Sequence, residues 1–279
     1  MRMVRAVFSH GSGRIGGAIV GFYLLVAVLG MVGLTPHDPL AQFRIDRLHA
    51  PSAAYWMGTD LFGRDVASRL MVGVGQSFIV AFLSVAFASL AGTVLGLAAA
   101  WLGRRWDGIV MRVMDVLLAF PAILLALLIV AVAGPGTWTS VVAIGIVYTP
   151  IFTRIVRGPA LSLKAREFVD AARTFGSSTR YIVTRHLLLN LVAPLTVQVT
   201  LALAWALLTE AGLSFLGLGT QPPAASLGLM LSDSRKLMET APWLMIFPGL
   251  AIMISILGFN LLGDALRDIL DPRTRRSPA

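Results

Sequence analysis

Six apolar stretches, each near the length of a membrane-crossing helix, constrain this chain more than any other feature. They cover residues 15–34, 77–102, 113–133, 139–155, 191–213 and 242–262. A helix needs about 20 mostly apolar residues to cross the hydrocarbon layer. Lipid offers the backbone no hydrogen-bond partner, so a stretch of this kind can only be helical. The second is the longest and the fourth the weakest. Composition agrees: 57% of the 279 residues are hydrophobic and 13% are charged, where soluble domains carry about 25% charged. That is too little charge to cover a water-soluble surface of this size. The expected fold class is all-α, a polytopic membrane bundle of six transmembrane helices over residues 15–267. A short N-terminal segment, 1–14, and a tail, 268–279, flank it.

Arg2, Arg5 and Arg14 precede the first stretch, as in a signal peptide. Its apolar core is longer than the usual run of about 7–15 residues, and no small-residue cleavage site follows. It reads as an uncleaved anchor. Six crossings put both termini on one side. Seventeen of the 23 Lys and Arg fall on that side, in the N-terminal segment, the 103–112 turn, the 154–190 loop and the tail. Arg44, Arg47, Arg64, Arg69, Arg235 and Lys236 fall on the other. Cytoplasmic loops collect positive residues, so the termini and the 154–190 loop are expected in the cytoplasm of a bacterial inner membrane protein. The net charge of +9 then has a cause other than nucleic acid, and no basic run is interleaved with aromatics. Lipid, not nucleic acid, is the expected surrounding.

Several chemistries are excluded. The chain has no cysteine, hence no disulfide and no thiol catalysis. His10, His37, His49 and His186 are scattered and form no metal signature, so no metal is expected. A P-loop needs Gly-Lys followed by Ser or Thr; the only lysines, Lys164 and Lys236, precede Ala165 and Leu237. No catalytic residue and no bound cofactor are expected, and any ATP must be hydrolysed elsewhere. The apolar stretches carry almost no charge, which disfavours an ion-driven carrier. Asp115, one turn into the third stretch, is expected to pair with Arg112.

Small residues point to close helix packing. Ser84, Ala88, Gly92, Gly96 and Ala100 recur every fourth residue of the second stretch, and Gly13, Gly17 and Gly21 do so at the first. Pro121, Pro150, Pro194 and Pro248 are expected to kink their helices.

The basic loop over residues 156–190 predicts a short helix. Phe168, Ala171, Ala172 and Phe175 follow the i, i+3, i+4, i+7 pattern of one apolar stripe. Arg166 and Asp170 are i,i+4 partners on the polar side. Gly176 suits the position just past the helix end, and Ser177 or Ser178 can cap the next helix. Alanine at the centre of the stripe suits docking into a protein groove better than insertion into lipid.

Asp170-Ala171-Ala172, three residues, then Gly176 resembles the EAA loop of ABC importer permeases. Other segments resemble the dipeptide, oligopeptide and nickel group of that family, and within it the second permease subunit. They are Gly58-Thr59-Asp60-Leu61-Phe62-Gly63-Arg64-Asp65 with Ser68-Arg69-Leu70, Ala119-Phe120-Pro121, and the run from Glu210 to Gly219 with Gln221-Pro222-Pro223. Gly263-Asp264-Ala265-Leu266-Arg267-Asp268 with Leu270-Asp271-Pro272-Arg273 completes the series in order.

The resemblance implies a type I importer permease fold and transport of di- or oligopeptides, with nickel chelates or other small solutes as the alternative. It implies that Glu167, Phe168, Asp170, Ala171, Ala172, Arg173, Phe175 and Gly176 form a coupling helix on an ATPase subunit. The implied partners are a homologous permease subunit, two ATPase subunits carrying ATP and Mg, and an extracytoplasmic solute-binding protein. The outer loops, 35–76 and 214–241, would meet that binding protein. In the Gly58, Thr59, Asp60, Gly63, Arg64, Asp65 motif, the charged residues either contact it or tie the loop together by local salt bridges. Glu210 is a gate or solute contact, or a helix-end residue satisfied by backbone. Gln198, Thr200 and Asn260 line the path or hydrogen-bond between helices. On this reading Ala172→Glu or Gly176→Pro should block ATP-coupled uptake. A channel or scaffold working without ATP is the rival of another class; a membrane enzyme would need a clustered acid, histidine or nucleophile, which the sequence lacks.

Overall fold

The computed structural model describes residues 11–270. Most of the N-terminal segment and the motif residues Asp271, Pro272 and Arg273 lie outside the described residues. The long helices are α1 (Gly11–Met31), α2 (Val66–Leu102), α3 (Arg104–Leu118), α4 (Ala122–Ala133) and α5 (Thr137–Lys164). They are followed by α6 (Glu167–Thr174), α7 (Thr179–Phe215), α8 (Leu227–Ser234) and α9 (Trp243–Leu270). Five of them, α1, α2, α5, α7 and α9, are long and apolar enough to cross a membrane.

The third crossing is not the continuous helix expected over 113–133. It is broken into α3 and α4, bent by 93°. Pro121 lacks an N–H and disfavours helical backbone at Phe120, so α3 stops at Leu118 and a new helix starts at Ala122. With 12 residues, α4 is about 18 Å long, short of the ~30 Å hydrocarbon layer. Among the described residues, only the bent pair could make a sixth crossing. Ion pairs hold α3 to α5: Asp107 to Arg157, and Asp115 to Arg154 at 2.5 Å. Asp115 therefore pairs across to another helix, not with Arg112.

The weakest stretch in the sequence belongs to the most buried helix. In α5, 67% of the most apolar window is buried, against 28% in α1. Its Ser140, Gly145, Thr149 and Thr153 lower its apolar score because they face protein instead of lipid. The hydroxyls of Thr149 and Thr153 donate back to the carbonyls of Gly145 and Thr149, at 2.8 and 2.9 Å. Against this helix lies the α2 ridge. Ser84, Ala88, Gly92, Gly96 and Ala100 are all buried, and a Cβ at Gly96 would stand 2.7 Å from the Thr153 carbonyl. With no solvent to drive lipid-embedded helices together, such close backbone approach is what holds them.

Helices α7 and α9 close the bundle, and α1 packs outside on α9 and α2. The α1 contact face is not the expected Gly13, Gly17, Gly21 row. It comprises Gly13, Gly16, Val20, Tyr23, Ala27 and Gly30, while Gly21 is exposed. Gly16 meets the α9 backbone at Leu262, where a Cβ would lie 2.6 Å from the amide nitrogen. Helix α7 starts earlier than its apolar stretch and carries a π-helical turn, Ile182–Leu188. One end of the bundle holds α6 and most of the described basic residues. The other holds residues 35–65 and α8.

Candidate functional site

At the basic end, α6 is framed by its own caps. Glu167 and Asp170 lie in its first turn and Arg173 in its last, which matches the helix dipole. Gly176 takes φ +76°, where its N–H donates to the Arg173 carbonyl at 2.9 Å. A left-handed residue just past a helix end favours glycine. Ser178 then accepts from the Tyr181 N–H at 3.3 Å and starts α7.

The expected apolar stripe divides between two faces. Val169 is fully buried and, with half-buried Ala172, seats α6 on a small core that includes Ala100, Val156, Ala160 and Leu187. Phe168, Ala171 and Phe175 face outward; Phe175 is 88% exposed. Residues 168, 171 and 175 share one helical face, and 169 and 172 the adjacent one. Ala172 thus belongs to the seat, not to the outward row. Asp170 pairs with Arg173 at 3.4 Å and not with Arg166, which stands before the helix in extended conformation. Beside this surface, the His186 ring lies 5.8 Å from Phe168 and 5.6 Å from Tyr181. Sequence reasoning missed Val169, whose signal was its i,i+3 spacing to Ala172. It also missed Trp101, which has no local signal.

At the opposite end the Gly58–Asp65 motif is a closed knot. Asp60 accepts from the N–H groups of Phe62 and Arg64 at 2.8 and 3.0 Å, and from Arg64 Nε at 2.6 Å. Asp65 caps α2, accepting from Ser68 N–H and Oγ at 2.8 and 2.5 Å. Thr59 accepts from His49 N–H at 2.8 Å and donates to the Asp46 carbonyl. Trp243 of α9 donates to the Thr59 carbonyl at 3.2 Å. Gly58 and Gly63 both take φ +75°, and a Cβ at Gly63 would fall on the Phe43 carbonyl. The Tyr55 phenol donates to Asp46 at 3.0 Å, a bond that holds it above its ordinary pKa. A cavity of about 190 Å³ between this knot and α8 is lined by Arg64, Arg69, Met230 and Asp233. Loss of water around Asp233 raises its carboxyl above the ordinary range, while Arg69 and Arg64 pull it down.

The four pore candidates lie on α7 and α9. Glu210 is fully buried near the outer end of α7. Its Oε1 accepts from Ser214 Oγ at 2.7 Å; Oε2 has no bond of normal geometry, though Ser77 and Ser226 lie beside the carboxyl. Ser77 accepts from Leu227 N–H at 3.1 Å, and Ser226 caps α8. Glu210 is thus held at one oxygen by Ser214 of its own helix, not by backbone, with Ser77 of α2 and the α8 cap Ser226 beside the other. Gln198 lines an open groove of about 450 Å³ with Pro194 and Arg267. Thr200 is buried and donates to Thr196 of its own helix at 3.0 Å, not to a neighbour. Asn260 is half-buried on α9. Among the described residues no three His, Asp or Glu gather as a metal site.

A family model for a binding-protein-dependent transport system inner membrane component matches residues 92–276. The chain is 44% identical over 261 residues to the dipeptide transport system permease protein DppC of Alkalihalophilus pseudofirmus, spanning 94% of this chain and 86% of that one. It is 44% identical over 243 residues to the glutathione transport system permease protein GsiD of Pectobacterium atrosepticum, spanning 87% and 81%. It is 40% identical over 256 residues to the probable D,D-dipeptide transport system permease protein DdpC of Escherichia coli, spanning 92% and 86%. Among solved structures, an inward-facing MetNI methionine ABC transporter aligns with TM-score 0.60 at 19% identity, covering 73% of this chain and 96% of that one. That last likeness is one of fold.

Proposed function

The chain belongs to the binding-protein-dependent transport system inner membrane components, and from that premise we propose that it is one permease subunit of an ATP-driven importer of short peptides. It forms half of the translocation path, with a homologous permease subunit supplying the other half. Two ATPase subunits bind ATP and Mg, and a solute-binding protein delivers peptide at the outer face. The basic end and both termini lie in the cytoplasm, as the distribution of Lys and Arg supports.

One observation carries the reading: α6 is seated on the bundle by Val169 and Ala172 while Phe168, Ala171 and Phe175 stand exposed. Exposed apolar side chains on a helix already anchored from behind are a docking face. Closure of the ATPase subunits on ATP pushes this face and favours one of two bundle states. Three similar permeases carry the names of dipeptide, D,D-dipeptide and glutathione systems, which supports a short peptide as the solute.

The test uses the tagged chain purified from gently solubilised native membranes, with ATPase activity assayed on the eluate. Ala171→Glu is a cleaner variant than Ala172→Glu, because Ala172 is part of the seat. The parent should bring down ATPase activity and Ala171→Glu should not, with both equally well inserted. Equal ATPase in the two samples sinks the docking assignment. No ATPase in either points to a self-sufficient channel or scaffold.

A further inference from the structure

Helix α6 touches the bundle in a second, polar way besides its Val169 seat. Trp101 is the penultimate residue of α2. The Arg173 guanidinium of α6 lies 4.9 Å from the centre of its indole, and Lys164 Nζ, at the end of α5, lies 5.4 Å from the same ring. Lys164 also donates to the carbonyls of Ala100 and Trp101 at 2.9 and 3.0 Å. Those carbonyls belong to the last turn of α2, where no further helical N–H is available. A cation over an aromatic face and a cation at a helix C-terminus are both attractive. One residue thus gathers the ends of α2, α5 and α6.

Helix α2 is built to carry a displacement from that point. Its 37 residues contain no proline and make a rod about 55 Å long. Its last third is packed on α5 through Gly92 and Gly96 with no room for a Cβ. Its far end is capped by Asp65 of the outer knot, and Ser77 accepts from the first N–H of α8. Coupling between distant sites runs through packed, rigid elements of this kind.

We propose that Trp101 is the positioning residue through which α6 grips α2, so that movement of α6 is passed along α2 to the outer knot and α8. The proposal rests on the reading of α6 as the ATPase docking helix. The experiment uses the full importer in liposomes and compares Trp101→Leu with Trp101→Phe, scoring ATPase capture, ATP hydrolysis and peptide uptake. Trp101→Leu should capture ATPase subunits as the parent does and continue to hydrolyse ATP. Its uptake per ATP should fall about tenfold, and Trp101→Phe, which keeps a ring face, should restore most of it. Arg173 lies with Val169 on the seat side of α6, over Trp101, and is not part of the outward row of Phe168, Ala171 and Phe175. Arg173→Gln should therefore behave like Trp101→Leu, Arg173→Lys like the parent, and the double variant no worse than either single one. Since Arg173 is a surface residue, its two variants decide the matter if Trp101→Leu fails to assemble. Unchanged uptake per ATP in Trp101→Leu or Arg173→Gln with capture intact, or equal losses in the Phe and Leu variants, overturns the role of Trp101 alone. A parent chain that captures no ATPase overturns the docking reading and this proposal with it.

Discussion

The two ends of the bundle use their polar and apolar side chains in opposite ways. In the outer knot, Thr59, Asp60, Arg64 and Asp65 direct their polar groups into the protein, and all four are at least partly buried. At the basic end, α6 buries Val169 and leaves a row of two phenylalanines and an alanine uncovered. Both segments stand out in the sequence as motifs. The first is a motif because it must fold on itself, the second because something else must fit it. A structural motif turns its polar groups inward; a docking motif leaves a face open.

That contrast predicts that changes at the outer end move stability and changes on the α6 face move assembly. The largest stability effect is expected for Asp60→Ala, which leaves Arg64 and two N–H groups unpaired and should cost about 3 kcal/mol, read as a lowered Tm in detergent. Val169→Ala should cost about 2 kcal/mol by opening a cavity in the α6 seat, and weaken ATPase capture as α6 loosens. Ser77→Ala removes the acceptor of the Leu227 N–H and should cost about 1–2 kcal/mol. Asp115→Asn breaks an exposed ion pair and should cost less than about 1 kcal/mol. Ala171→Glu should shift stability by no more than about 0.5 kcal/mol while abolishing capture of the ATPase. If Ala171→Glu lowers Tm as much as Asp60→Ala, the two ends do not differ in kind.

Much of this arrangement was legible in the sequence. Apolar length located five of the six crossings, Gly176 marked the end of α6 and Ser178 the start of α7, and the α2 ridge from Ser84 to Ala100 is the packed face it was read to be. What escaped was whatever depends on which partner a side chain meets. Helix α5 looked weakest because apolar scoring cannot separate a threonine facing lipid from one packed on glycine. Pro121 announced a kink but not a right-angle break. Spacing put Ala172 with Phe168, yet a helix this short can turn either of two adjacent faces inward, and only the core beneath α6 settles it on Val169. The Arg154 partner of Asp115 and the triple junction at Trp101 join residues 39 or more positions apart, beyond the reach of a local pattern.

Because the chain contains no cysteine, single cysteines can be placed at will, and cross-linking tests the account most directly. Ala171→Cys on α6 and Trp56→Cys, which sits on the opposite end and is 68% exposed in the parent, would each be loaded with a photoreactive maleimide in the intact importer. The account predicts that the tagged chain shifts to the mass of an ATPase adduct from position 171 and not from position 56. An ATPase adduct from position 56 with none from position 171 would contradict both the docking face and the cytoplasmic placement of α6.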